Sequence, residues 1–122
     1  MPRISHFDIP SDIPERAQKF YEDVFRWKFG KWDGPMEYWM IKTGDDSEPG
    51  INGGMLRRMP GQVGMTNTIT VQSLDEYTRK VQEKGGQILV PKMPIPGVGY
   101  ISTCMDTEGN IFGLIEMDAS AK

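Results

Sequence analysis

The sequence predicts an α+β fold of two tandem βαβββ modules, with mostly antiparallel sheets and a helix on the outer face of each. Three observations lead there. Helical patterns fall near residues 11–26 and 73–86, and each follows one strand-like run and precedes three more. Setting Ile13 against Leu74, an offset of 61 residues, also sets Glu15 against Glu76 and Phe20 against Val81, so the second half repeats the first in pattern. Two helices are too few for the crossovers of a doubly wound parallel sheet.

The elements follow in order. Residues 1–9 alternate, with Phe7 and Ile9 on one face and Ile4, His6 and Asp8 on the other, as in a strand with one apolar face. Ser11 or Asp12 offers a helix cap, Pro14 suits the first turn, and Glu15 complements the positive end of the helix dipole. Ile13, Ala17, Phe20 and Val24 then form an apolar stripe. Residues 27–32 and 36–42 read as a hairpin broken at Asp33-Gly34-Pro35, and the glycine-rich run 50–57 reads as a fourth strand. Residues 59–64 are the natural linker. In the second half, residues 66–71 form a β-branched strand, and Ser73-Leu74-Asp75-Glu76 is a capping box. Leu74, Tyr77 and Val81 are the stripe of its helix, which Gly85-Gly86 ends. Residues 87–90, 100–104 and 111–116 are the last three strands, separated by turns at 94–97 and 106–110.

At 122 residues, 38% hydrophobic and 25% charged, the chain suits one domain with a real core: module one 1–58, linker 59–64, module two 65–118 and tail 119–122. A net charge of −3 gives no footprint for nucleic acid, and Arg57-Arg58 reads as a solvated loop edge. The N-terminus lacks the apolar run of a signal peptide and no stretch is of membrane length, so a soluble, cytoplasmic protein is expected. Cys104 is the single cysteine, which excludes an intrachain disulfide, and it reads as a small buried hydrophobe.

Three motifs carry a resemblance. His6-Phe7-Asp8-Ile9-Pro10 followed by Glu15-Arg16-Ala17 and Phe20-Tyr21 resembles the opening of vicinal-oxygen-chelate proteins, the glyoxalase, bleomycin-resistance and extradiol dioxygenase superfamily. The run Asp106-Thr107-Glu108-Gly109-Asn110-Ile111-Phe112-Gly113-Leu114 looks like their closing turn and last strand. Residues 92–99 resemble a subfamily described as related to lactoylglutathione lyase. The resemblance implies an open cleft on a curved, eight-stranded sheet. In metal-dependent members it also implies ligands on the first and last strands of each module, where the metal acts as a Lewis acid on two adjacent substrate oxygens. Here His6, or Ile4 if the alignment moves, takes the first of those positions. Thr66 takes the fifth-strand position, Gly113 replaces the last-strand glutamate, and the fourth strand offers Asn52-Gly53-Gly54. Such a set is poor for a divalent ion, so no metal and no cofactor are expected, and true lactoylglutathione lyase activity is not expected either.

Strand parity then suggests a ligand-binding cleft. Thr66 and Thr68 share a face opposite to Asn67, Ile69 and Val71, which should pack under the second helix, and His6 shares the corresponding face of the first strand. The expected lining is His6, Asn52, Thr66, Thr68 and Tyr100, with Trp39 as a further member; catalytic residues are not assigned. Each has a duller reading: His6 as a structural histidine, the aromatic group Trp27, Trp32, Tyr38 and Trp39 as core or dimer packing, Gly50 to Gly54 as sheet curvature, and residues 94–99 as a stiff turn in place of a flap. Two functions remain. One is a glyoxalase-like small-molecule binding protein without a complete metal site, working as a homodimer. The other is a glyoxalase-like lyase, isomerase or oxygenase acting on a small dicarbonyl, thiol adduct or aromatic compound.

Overall fold

The computed structural model describes residues 1–62 and 64–122; of the expected linker 59–64, Val63 lies outside the described residues. Among the described residues eight strands and two helices occur in the order β1 (Arg3–Ser11), α1 (Pro14–Phe25), β2 (Lys28–Lys31), β3 (Trp39–Lys42), β4 (Asn52–Arg57), β5 (Thr66–Thr70), α2 (Leu74–Glu83), β6 (Gln87–Ile95), β7 (Gly99–Met105) and β8 (Ile111–Met117). This is the predicted α+β succession of two βαβββ modules. The chain divides into two compact units, His6–Met65 and Met1–Ser5 with Thr66–Lys122.

In the first unit the strands lie in the order β2, β3, β4, β1, with β1 parallel to β4 and the other two pairings antiparallel. The second unit repeats the plan as β6, β7, β8, β5, with β5 parallel to β8 and the rest antiparallel. In both, the strand entering the helix pairs with the last strand of its module, a parallel pair that the helix and hairpin between them make possible.

Helix α1 differs from expectation. Neither Ser11 nor Asp12 caps it; Ile13 is the N-cap, without a side-chain bond, and Pro14 is the first helical residue. The face turned to the strands carries Pro14, Ala17 and Tyr21, while Ile13, Phe20 and Val24 point away from the core and are about half exposed. Arg26 closes the helix in the left-handed conformation, φ 64°, donating its N–H to the Glu22 carbonyl. The core beneath joins Ile9, Ile41 and Met55 to Phe7, Tyr21, Trp27 and Trp39. Tyr21 and Trp27 stack with centroids 5.1 Å apart and planes within 5°. Most of the aromatic area in this module therefore serves its own packing.

Helix α2 follows expectation more closely. Ser73 accepts a hydrogen bond from the Glu76 N–H at 3.2 Å. A second cap comes from the last strand, where the Glu116 carboxylate accepts from the Leu74 N–H at 2.8 Å. Leu74, Val71, Cys104 and Leu114 form the buried centre, with Tyr77 and Val81 of the helix against it. Cys104 is fully buried, and that burial pushes its thiol up, only partly countered by the Ser102 hydrogen bond. It packs as a small hydrophobe of that core.

Strand β6 runs well past the expected residue 90. It is the edge of its unit, so Pro91 and Pro94 and two irregularities in its pairing with β7 are tolerated. The turn after it is tied down: the Gly97 N–H donates to the Ala121 carbonyl and the Asp118 N–H to the Val98 carbonyl, both at 2.9 Å. Residues 96–98 are thus a fixed turn. The motif at 106–110 is structural as well. Asp106 accepts from the N–H groups of Asn110 and Glu108, and from the Asn110 side chain. Those bonds hold its carboxyl below the usual range, the Asn110 N–H contributing most.

Candidate functional site

A polar cluster forms on the first module, on the strand face opposite α1. Phe7 and Ile9 of β1 point to the helix, so His6 and Asp8 occupy the other face. In the β1–β4 register His6 sits beside Asn52 and Asp8 beside Gly54. Tyr38 completes the group. It directly precedes Trp39, the first residue of β3, and alternation sends the two rings to opposite sides: Trp39 into the helix-side core, Tyr38 over Gly54. A Cβ at Gly54 would lie 1.6 Å from the Tyr38 hydroxyl oxygen and 1.9 Å from the ring carbon bearing it. Only glycine leaves room for the ring there. The close approach at Gly54 is thus made by the protein's own side chain. Gly53 yields in the same way to the Phe7 ring on the opposite face.

The bonding in the cluster is well defined. The Tyr38 hydroxyl donates to Asp8 Oδ1 at 2.5 Å. His6 Nε2 lies 2.7 Å from the Tyr38 oxygen and 3.3 Å from Asp8 Oδ1. With the phenolic proton committed to Asp8, Nε2 is placed as the donor, and in the neutral imidazole Nδ1 is then the acceptor. All three side chains are half-buried. Burial raises the Tyr38 hydroxyl far above its ordinary value of 10.0, and the charge of Asp8 and the hydrogen bond to it add to the effect. Tyr38 is therefore a neutral donor at physiological pH. The folded protein holds this proton more tightly than the unfolded chain does. The stabilisation is present in full below the ordinary phenol range and is lost as pH climbs towards the raised value. A phenolate absorbance titration is expected to show one tyrosine ionising only at strongly alkaline pH or on unfolding, and Tyr38→Phe should remove that step. A late step that survives Tyr38→Phe would contradict the assignment.

The expected lining residues divide. His6 is in the cluster and Asn52 is next to it. The Asn52 carbonyl is occupied, accepting from the Thr43 N–H at 3.0 Å and from the Thr43 hydroxyl at 3.3 Å. Beyond it, the acidic loop 43–50 encloses a hollow of about 170 Å³ whose lining includes neither His6 nor Tyr38. Trp39 is a correction: it shares the parity of Ile41 and packs against Ile9, Ile41 and Met55, with Lys31 Nζ 5.8 Å from its ring centroid.

On the second module Ile69 and Val71 pack under α2, which puts Thr66 and Thr68 on the opposite face. Asn67, expected with the helix-side row, is exposed. Thr68 is buried and pairs with Gly113, where a Cβ would come within 2.8 Å of the Thr68 hydroxyl. Tyr100 is the second correction. It lies on the parity of Cys104, packs against the α2 core, and is covered by Lys92 Nζ at 4.7 Å, which also reaches Asp75. The partners that sequence reasoning missed are Asp8 and Tyr38. Asp8 has the parity of His6, a signal available in the sequence, whereas Tyr38 depends on the β3–β4 register.

A model of the Glyoxalase/Bleomycin resistance protein/Dioxygenase superfamily matches residues 3–114. The chain belongs to that superfamily. No curated protein matches this member in sequence. Among solved structures it is similar to a hypothetical protein from Bacillus halodurans, with a TM-score of 0.73, 16% identity, and coverage of 98% of this chain and 97% of that one. It is similar to a methylmalonyl-CoA epimerase in complex with methylmalonyl-CoA, with a TM-score of 0.72, 17% identity, and coverage of 100% and 99%. It is also similar to the methylmalonyl-CoA epimerase of Mycobacterium tuberculosis, with a TM-score of 0.72, 13% identity, and coverage of 94% and 87%. At these identities the likeness is one of fold.

The residues present do not fit the divalent metal used by some superfamily members. Among the described residues no three His, Cys, Asp or Glu side chains converge. His6 and Asp8 are engaged with Tyr38, and the second module offers threonine and glycine at Thr66, Thr68 and Gly113, which are weak donors or none.

Proposed function

We propose that this superfamily member binds a small organic molecule without a metal ion, using the face of the first module that carries His6, Asp8 and Tyr38. The observation that supports this most is the bonding of the cluster, which presents the His6 Nδ1 lone pair while Tyr38 and Asp8 fix the ring from behind. Met40, beside Gly54 in the register, supplies apolar surface on the same face. Such a site suits a compact ligand with one hydroxyl, enol or N–H to donate and an apolar body. Asn52, beside His6 in the register, remains a candidate contact.

Native mass spectrometry of protein purified without added metal tests this reading. The expected result is a retained organic mass, or binding of a supplied hydroxy or enol compound, with no stoichiometric metal. His6→Ala should weaken that binding about tenfold or more, the loss of one buried hydrogen bond to a ligand. About one tightly held transition metal per chain, or affinity unchanged by His6→Ala, would overturn it.

One feature favours a second reading, an enzyme of the glyoxalase-like group. An imidazole held by a carboxylate on one nitrogen and open on the other is the arrangement of a general base. Solvent deuterium appearing at carbon in a small dicarbonyl or thiol adduct, and lost in His6→Ala, would select this reading over simple binding.

A further inference from the structure

The face of the first module that carries His6 and Asp8 continues across β4, β3 and β2. Trp27, Phe29, Trp39 and Ile41 pack on the α1 side, so alternation sends Lys28, Met40 and Lys42 to the side of His6. The registers then define a line of side chains across the four strands. Lys28 is opposite Lys42, and His6 is beside Asn52. Met40 faces Gly54 and Ile41 faces Gly53, so the next antiparallel step sets Lys42 beside Asn52. The line reads Lys28, Lys42, Asn52, His6. Met40 borders it, with glycine on either side at Gly30 and Gly54. Like charges directly opposite each other on neighbouring strands disfavour the fold. Asp46 offsets only Lys42, through a weak, exposed contact of 3.5 Å, and Lys28 has no ion pair among the described residues. Two cations are thus held together on the candidate binding face, and among the described residues no carboxylate joins them.

We propose that Lys28 and Lys42 seat a carboxylate of the ligand, which makes that ligand an aromatic hydroxy acid. The class rests on the reading of His6 Nδ1 as the acceptor for the ligand's hydroxyl. Neighbouring strands lie ~4.8 Å apart, so the His6 and Lys42 backbones, two strands removed, are about 10 Å apart. A benzene ring with a hydroxyl at one end and a carboxylate at the other spans that gap with the lysines extended from the sheet. A shorter hydroxy acid would require them to lie flat along it. Asn52 stands in the middle of the span. Its carbonyl is taken by Thr43, so its amide nitrogen is left to donate to the same carboxylate. Met40 offers apolar surface beside the ring. A carboxylate between the two ammonium groups turns their repulsion into charge-assisted hydrogen bonds, and it replaces Asp46 at Lys42 with a group of equal charge. The competing occupant is a cation, drawn by Asp45, Asp46 and Glu48, which line the hollow beside Asn52.

Titration of the full chain, followed by nuclear magnetic resonance at low salt, with para-hydroxybenzoate, phenol, benzoate and para-hydroxybenzylamine is the experiment. The expected result is para-hydroxybenzoate bound about tenfold more tightly than phenol, an advantage that Lys28→Gln/Lys42→Gln abolishes. Both lysines are exposed, and circular dichroism checks the fold of the variant. Loss of the same advantage in the parent protein as salt is raised tests the seat without any substitution. His6→Ala should weaken para-hydroxybenzoate and phenol but not benzoate. If benzoate equals para-hydroxybenzoate and both depend on the lysines, the carboxylate seat is upheld and the acceptor role of His6 fails. Phenol bound as tightly as para-hydroxybenzoate, or an advantage indifferent to the lysines and to salt, would overturn the seat and leave the reading of His6 standing. No binding of para-hydroxybenzoate at millimolar concentration, or para-hydroxybenzylamine bound best, would overturn it as well.

Discussion

Gly54→Ala is expected to destabilise the protein by about 2–4 kcal/mol, roughly 8–16 °C in Tm for a chain of this length. The new Cβ would coincide with the Tyr38 hydroxyl and press on two ring carbons, so a small shift of a flexible end cannot accommodate it. The ring must swing away. That breaks the bond from Tyr38 to Asp8 and the one from His6 to Tyr38, and it exposes aromatic surface. Binding at the site should fall with stability, because His6 loses the groups that orient it. The same change made in Tyr38→Ala should cost little, since the vacated space receives the methyl group. Chemical denaturation of the two single variants and the double gives a coupling energy, expected at about 2 kcal/mol or more for groups in direct contact. A coupling near zero would mean that Gly54 is needed for strand geometry, and that its closeness to Tyr38 is incidental.

The order of elements was legible because its signals are local. Alternation marks β1 and β5, the Ser73 capping box marks α2, and Asp106 to Asn110 closes the last hairpin through bonds within five residues. Boundaries were less so. The sequence puts residues 94 and 95 in a turn, and 91–95 carry two prolines, yet an edge strand can hold them because its outward N–H groups need no partner. The first helix was misread for a physical reason. Its core face is Pro14, Ala17 and Tyr21, a weaker apolar signal than the larger hydrophobes Ile13, Phe20 and Val24, which lie on the outside. Pattern follows hydrophobicity, and here the more hydrophobic stripe is the unburied one.

The candidate site was legible in part. His6 and Asp8 are two apart in a strand, so their shared face follows from alternation. Tyr38 is thirty residues from Asp8, and its arrival depends on how β3 and β4 pair and on the absence of a side chain at Gly54. No single segment encodes that. Trp39 and Tyr100 were drawn to the site as large aromatics of the kind that line pockets. The register sends both to the helix side, where that same area is more valuable as core.

Leu74→Ala is expected to be the costliest single truncation, about 3–5 kcal/mol, a large share of the 5–15 kcal/mol that folded domains ordinarily possess. Leu74 has no exposed surface and stands at the start of α2 between Val71, Cys104 and Leu114. Neighbours on β7 and β8 and just past β5 leave little room for collapse into the space, so the lost transfer energy and the cavity both count. The backbone adds a second constraint. The Leu74 N–H is bound by Glu116 of β8, so α2 cannot slide inward to fill the gap without stretching that bond. Phe20→Ala removes a larger side chain, but one that is more than half exposed, and should cost under about 1 kcal/mol in the monomer. Urea denaturation at low protein concentration separates the two. Were Phe20→Ala the more damaging there, the outer face of α1 would have to be buried within the monomer, and the packing described for both helices would be wrong.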